Sequence, residues 1–135
     1  MRAVLDPNVL ISGLLSPAGS PAKILRAWQE GQIDVIVSPL LLDELTRALA
    51  YPKLRKRIPA DDTAAAVRWI AASADHVDDP PDEPFVHSAD PGDDYLIALA
   101  AVQRAALVSG DRHLLELSDR IPVYSPREFV DMLSS

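Results

Sequence analysis

The feature that most constrains this chain is a three-residue apolar run that ends on an acid. Ala3-Val4-Leu5 stops at Asp6, Pro7 and Asn8 follow, and an apolar helical pattern begins at Val9. A short apolar run bounded in this way reads as a buried strand. In an open α/β sheet such a strand delivers its last residues to the carboxyl edge, where these folds bind their ligands. The question for the rest of the chain is whether other acids arrive at the same edge.

The elements that follow alternate. Residues 9–15 have helical spacing and stop at the breaker run Ser16-Pro17-Ala18-Gly19-Ser20. Ser20-Pro21 predicts a second helix with Ser20 as its cap, apolar at Ile24, Leu25 and Trp28 and closed by Gly31. Residues 33–37 read as a strand, and Ser38-Pro39 starts a helix over 40–50 whose buried face is Leu42, Leu45 and Leu49. After Tyr51-Pro52 comes a basic run, Lys53-Leu54-Arg55-Lys56-Arg57, then a helix capped by Asp61 or Asp62 with Val67, Ile70 and Ala71 facing inward.

Residues 76–92 are rich in Pro and Asp, have no clear period, and read as an ordered loop with a short strand near Val77 or Phe85-Val86. Asp90-Pro91 starts a helix running to Gln103. Residues 106–109 are a strand ending at Gly110-Asp111, residues 113–117 a short helix, 122–124 a last strand, and Ser125-Pro126 caps a helix to Leu133. Strands alternating with helices imply an α/β fold with a mostly parallel sheet covered on both faces. A chain of 135 residues is long enough for one such domain, spanning 1–135.

Asp6 and Asp111 each follow a short strand directly, so a parallel sheet puts both at one edge. Asp alone is a favoured turn residue. Two at equivalent strand ends are different, because like charges held close together need a cation or a proton between them. Asp93 and Asp94 lie in the first turn of their helix, where Asp90 and an acid three residues on resemble a capping box; the alternative is that this helix start points at the same cleft. Glu44 has apolar neighbours at Leu41, Leu45 and Ala48, a pattern that fits either a residue drawn toward the core side or one at the boundary, whereas Asp43 reads as solvated. Asn8, Ser12 and Ser109 are small polar groups near the same edge. Each can orient a carboxylate or a water, or cap a turn.

Composition removes several alternatives. There is no cysteine, which excludes disulfides, thiolate metal sites and a cysteine nucleophile. The three histidines, His76, His87 and His113, lack ligand spacing. Oxygen donors without Cys or paired His suit Mg²⁺ or Mn²⁺ and not zinc. No phosphate loop or nucleophile elbow is present. No apolar stretch is long enough for a membrane span, and Asp6-Pro7-Asn8 breaks any resemblance to a signal peptide, so the expected location is cytoplasmic. The net charge of −7 argues against nucleic acid, but two divalent ions on four acids would bring the protein to about −3.

In this order and spacing, several segments resemble the PIN-domain ribonucleases, specifically the toxins of type II toxin–antitoxin systems. They are Val4-Leu5-Asp6-Pro7-Asn8-Val9, then Ser38 through Leu45 leading to Leu49-Ala50-Tyr51-Pro52-Lys53-Leu54, then Asp90-Pro91-Gly92-Asp93-Asp94-Tyr95-Leu96, and Val108-Ser109-Gly110-Asp111. The resemblance implies a three-layer α/β/α sandwich and an endoribonuclease dependent on Mg²⁺ or Mn²⁺. By position its acids fall on Asp6, Glu44, Asp93 and Asp111, with Asp94 able to share or take the third role. Carboxylates of this kind hold divalent ions that activate a water and stabilise the leaving oxygen. RNA as substrate, a cognate antitoxin and a homodimer or larger assembly are likewise what the resemblance implies. Lys53, Arg55, Lys56 and Arg57 are candidates for phosphate contact, and Arg47, Arg104 and Arg112 for the border of the cleft.

Two other readings remain at this stage. A haloacid-dehalogenase-type phosphatase also places an Asp after its first strand, but it needs a general acid two residues later, where this chain has Asn8. A non-catalytic interaction module on the same fold is the other.

Overall fold

The computed structural model describes residues 1–135. Its elements run β1 (Arg2–Leu5), α1 (Pro7–Leu15), α2 (Ser20–Gln29), β2 (Asp34–Val37), α3 (Pro39–Leu49), α4 (Pro52–Arg55), α5 (Ala60–Ser73), β3 (Asp75–His76), a 3₁₀ turn (Pro91–Asp93), α6 (Asp94–Gln103), β4 (Ala106–Val108), α7 (Arg112–Leu115), β5 (Val123–Tyr124) and α8 (Pro126–Leu133). The five strands form one sheet in the order β3-β2-β1-β4-β5, and every pairing is parallel. The chain moves outward from β1 through β2 to β3, then returns to the other side of β1 for β4 and β5. Crossovers between parallel strands are right-handed as a rule, so winding in the two directions puts helices on opposite faces of the sheet and makes a three-layer sandwich. The strand order reverses between β1 and β4, so the crevice beyond their carboxyl ends is the expected ligand position.

The central strands are apolar throughout because both faces are covered. Ala3, Val4 and Leu5 are buried, as are Val35, Ile36 and Val37, and all join a core of 27 residues with Leu10, Ile24, Leu41, Leu45, Ile70, Leu96, Leu99 and Phe129. Trp28 of α2 packs on Trp69 of α5 with ring centroids 4.5 Å apart. Ser38 caps α3 as its sequence suggests, and Ser125 forms a reciprocal capping box with Glu128.

Several local expectations differ from the structure. Gly19, not Ser20, precedes α2, and Ser20 is already helical. Asp61 and Asp62 lie in the first turn of α5, where they favour the helix dipole without capping it. Leu41, and not Leu42, is fully buried on α3: Leu41, Leu45 and Leu49 lie four residues apart along one face, and Leu42 packs half-buried beside them. The short third strand is Asp75–His76, extended by a bond from the Val77 N–H to the Val37 carbonyl (3.0 Å). Phe85-Val86 is not a strand, and Phe85 is fully exposed.

Gly13 sits where α1 packs against α2: a Cβ there would lie 2.6 Å from Leu25 Cδ1 and 3.1 Å from the Pro21 carbonyl oxygen. Glycine inside a helix normally costs about 1 kcal/mol relative to alanine. Here overpacking, worth about 1–3 kcal/mol, opposes that gain. Gly13→Ala is expected to lower stability by about 1 kcal/mol instead of raising it, as read from urea unfolding midpoints.

Candidate active site

The reversal crevice is where the acids converge. Leu5 of β1 stands opposite Val108 of β4, and the Asp6 N–H donates to the Val108 carbonyl (2.9 Å). This register puts Asp6 beside Ser109. The Ser109 hydroxyl donates to Asp6 Oδ2 (2.8 Å), and the Asn8 N–H donates to Oδ1 (3.0 Å). Ser109 is fully buried, and its oxygen also accepts from the Asp111 N–H (3.0 Å). Asp111 in turn accepts from the His113 N–H (2.7 Å) and caps α7, as Asp6 caps α1. The turn geometry that makes both acids caps thus also holds them at the shared edge.

Glu44 comes from α3 and Asp93 from the turn before α6. The Tyr95 hydroxyl donates to Glu44 Oε2. Burial chiefly, then Glu44 and neighbouring charges, push the Tyr95 phenol far above its usual range, so it stays a hydrogen-bond donor. Asp93 does not cap its helix. Asp90 accepts from the Gly92 N–H (3.0 Å), while Asp93 Oδ2 is buried with no hydrogen-bond partner.

The electrostatics follow from this crowding. Burial raises the Asp6 pKa, the Asn8 and Ser109 hydrogen bonds lower it, and Glu44 and Asp111 raise it again. Asp93 is pushed up to about 6 by burial, then by Asp111, Asp6, Asp90 and Glu44. Asp6 and Asp93 therefore feel the other acids across the crevice. An all-oxygen donor set with mutual repulsion and an orphaned buried oxygen suits a hard divalent cation. No three His, Asp or Glu side chains stand in a ready metal-holding arrangement, so the carboxylates face one another across a gap.

Other candidates are placed elsewhere. Both Asp94 oxygens serve the loop: Oδ2 meets His87 Nδ1 (2.7 Å), raising the His87 pKa, and Oδ1 accepts from the Ser88 N–H (2.8 Å). The Asn8 and Ser12 side chains are exposed and line a cleft of about 290 Å³ next to Asp111. Lys53, Arg55, Lys56 and Arg57 are exposed on and after α4. Arg57 lies beside Leu14 and Leu15 at the far end of α1, about 10 Å along the helix from Asn8. Arg104 ends α6 at the amino edge of the sheet beside Ala106 and Pro122, so it does not border the crevice. Arg112 pairs loosely with Glu116 (3.8 Å), and Arg47 is exposed on α3. Tyr95 was missed from sequence. The signal available was an aromatic hydroxyl directly after two acids on a helix that reaches the crevice.

Residues 2–113 match the PIN-domain family. This chain belongs to that family, and PIN domains are generally nucleases. It is 29% identical to the uncharacterized protein MJ1680 of Methanocaldococcus jannaschii, over 97% of this chain and 90% of that protein. The fold is similar to that of PAE2754 from Pyrobaculum aerophilum, with a TM-score of 0.67 at 15% identity, covering 99% of this chain and 90% of the other. It is also similar to a chain of VapBC2 from Rickettsia felis, solved bound to a DNA fragment from their promoter. That match has a TM-score of 0.62 at 13% identity and covers 93% of this chain and 98% of the other. The PIN match ends at His113, before β5 and α8, yet Phe129 of α8 is fully buried in the core.

The raised Asp93 pKa sets the sign of a pH effect. Its ordinary value is 3.8 and its folded value about 6, so the folded chain holds more protons than the unfolded one between them. Stability from this group is fully present below about pH 4 and is lost as pH rises through about 6. In EDTA at pH 7, Asp93→Asn is therefore expected to melt above the wild type. The difference should close toward pH 4, as followed by thermal melts across the pH range.

Proposed function

We propose that this chain is a divalent-metal-dependent endoribonuclease and the toxin of a toxin–antitoxin pair. The observation that carries the nuclease reading is the meeting of Asp6, Glu44, Asp93 and Asp111 at the reversal crevice, with Asp93 raised to about 6 by its neighbours. Asp6 and Asp93 are the residues assigned to direct ligation of Mg²⁺ or Mn²⁺, with Glu44 and Asp111 as further ligands or water-holding groups. A bound divalent cation would supply Lewis acidity, activating a water and neutralising charge on the phosphate. The chain's own part is to keep these carboxylates aimed. The Ser109 hydroxyl and Asn8 N–H hold both oxygens of Asp6, and Tyr95 holds one oxygen of Glu44 so that the other can turn to the crevice. Asp94 is assigned to fastening the 87–88 loop and not to the metal.

An attacking water needs no 2′-hydroxyl, so this chemistry admits DNA as well. RNA is the substrate assigned from the family resemblance. The toxin role draws support from the fold shared with a chain of VapBC2, a toxin–antitoxin pair solved with promoter DNA. It would bring a cognate antitoxin and a homodimer or larger assembly in the cytoplasm. No helix is long and apolar enough to cross a membrane. The exposed Lys53, Arg55, Lys56 and Arg57 are assigned to phosphate contacts away from the scissile bond.

A second reading, a non-catalytic interaction module, is favoured by one observation: the acids are not in a ready metal-holding arrangement. Cleavage separates the two. Purified protein is expected to cut single-stranded RNA internally with Mn²⁺ or Mg²⁺, and both EDTA and Asp6→Asn should abolish cutting. Metal binding without cleavage of any RNA in a broad panel would move the assignment to the module. Tyr95→Phe deletes one hydrogen bond to a charged group, worth about 1.5–3 kcal/mol. A single-turnover rate at saturating Mn²⁺ at least about tenfold below wild type is the expected result.

A further inference from the structure

A cleft lies on the α1 side of the acids and shares Asp111 with them. Its volume is about 290 Å³, and Asn8, Ser12, Pro21, Gly110, Asp111 and Pro126 line it. Asp111 belongs both to this cleft and to the acid group, so an occupant would lie directly against the acids. The volume is near the lower bound of small-molecule sites, about 300 Å³. That is room for one nucleoside and not for a helix or a folded strand.

The walls have a definite chemistry. Pro21 and Pro126 contribute apolar rings at the starts of α2 and α8. Asn8 and Ser12 are one turn apart on α1 and so share a face. Asn8 meets Asp6 only through its backbone N–H, and Ser12 meets Ser16 only through its carbonyl (3.0 Å). The amide and the hydroxyl are left uncommitted. Together they offer donors and acceptors side by side. No Lys or Arg lines the cleft, so it is not built for a free dianion. Gly110 adds no side chain to the wall, and a Cβ there would meet nothing within 4 Å, so a larger side chain can be placed at this position without a clash at its Cβ.

Single-stranded RNA is read by packing splayed bases and bonding their edges. An Asn amide pairs bidentately with the adenine edge. We propose that this cleft seats the nucleoside adjoining the scissile phosphate, with the Asn8 amide reading the edge of an adenine. The proposal rests on the nuclease reading of the acids, and it adds the base preference of the cut.

The test uses neutral nucleosides, which need neither metal nor catalysis to bind. Adenosine, guanosine, cytidine and uridine are each titrated into ¹⁵N-labelled protein in EDTA. Adenosine is expected to shift the Asn8 side-chain amide and the Gly110 N–H most strongly. Gly110→Leu fills the cleft and should weaken that binding at least tenfold, with an unchanged melting temperature. Asn8→Ala should flatten the base preference seen when cut sites are mapped on a randomised single-stranded RNA. If Gly110→Leu does not fold, the surface substitution Asn8→Ala decides alone. Failure of every nucleoside to shift these signals, or equal binding by the folded variants, overturns the proposal. Adenosine binding in a protein that cuts no RNA would support the cleft and sink the nuclease reading. RNA cutting with no adenosine shift and an unchanged cut pattern in Asn8→Ala would do the reverse.

Discussion

Asp6 ends a strand that is buried on both faces, and the chain must keep a carboxylate there without losing the fold. Burial alone would neutralise it. Two short hydrogen bonds oppose that, one from the Asn8 N–H at the start of α1 and one from the Ser109 hydroxyl across the β1–β4 pairing. The second bond ties the site to the sheet. Ser109 reaches Asp6 only because Leu5 and Val108 are in register, and the same oxygen accepts from the Asp111 N–H. A one-residue slip of β4 would turn Ser109 to the opposite face and break both links.

Around this link the protein accumulates repulsion. Glu44 and Asp111 act on Asp6, and all three act on Asp93, which also buries an oxygen that nothing bonds. A chain selected only for stability would relieve this with an apolar residue or a counter-charge. Conflict of this kind, concentrated at the strand-order reversal, is characteristic of functional sites. The neighbouring devices limit it: Tyr95 donates a hydrogen bond to one Glu44 oxygen, and both Asp94 oxygens are spent fastening the loop at His87 and Ser88.

Much of this was legible from local pattern. The apolar runs ending at Asp6 and Asp111 located two strands and the edge they share, because alternating strands and helices force parallel pairing. The Leu41, Leu45 and Ala48 neighbours of Glu44 separated it from exposed Asp43, since a helix face is a local property. The capping resemblance around Asp90 held for Asp90 and not for Asp93, since only the fold says which acid turns outward. Asp94 could not be told from Asp93 in sequence, because adjacent helical residues differ by about 100° in direction and the deciding partners, His87 and Ser88, come from an aperiodic loop. Arg104 had the right charge at the wrong edge, as its helix runs the full depth of the sheet away from the crevice.

By itself the sequence determined the alternation of elements, the mostly parallel sheet that alternation implies, and the delivery of Asp6 and Asp111 to one edge. These follow from periodicity, helix starts and chain handedness, which are short-range properties. The tertiary structure alone decided which remaining acids face them, that Ser109 and Tyr95 hold them, and that Asn8 and Ser12 open onto a cleft that shares Asp111. Those outcomes depend on the β1–β4 register and on contacts between residues 51 and 103 positions apart. No local pattern encodes separations of that size, so only the folded chain expresses them.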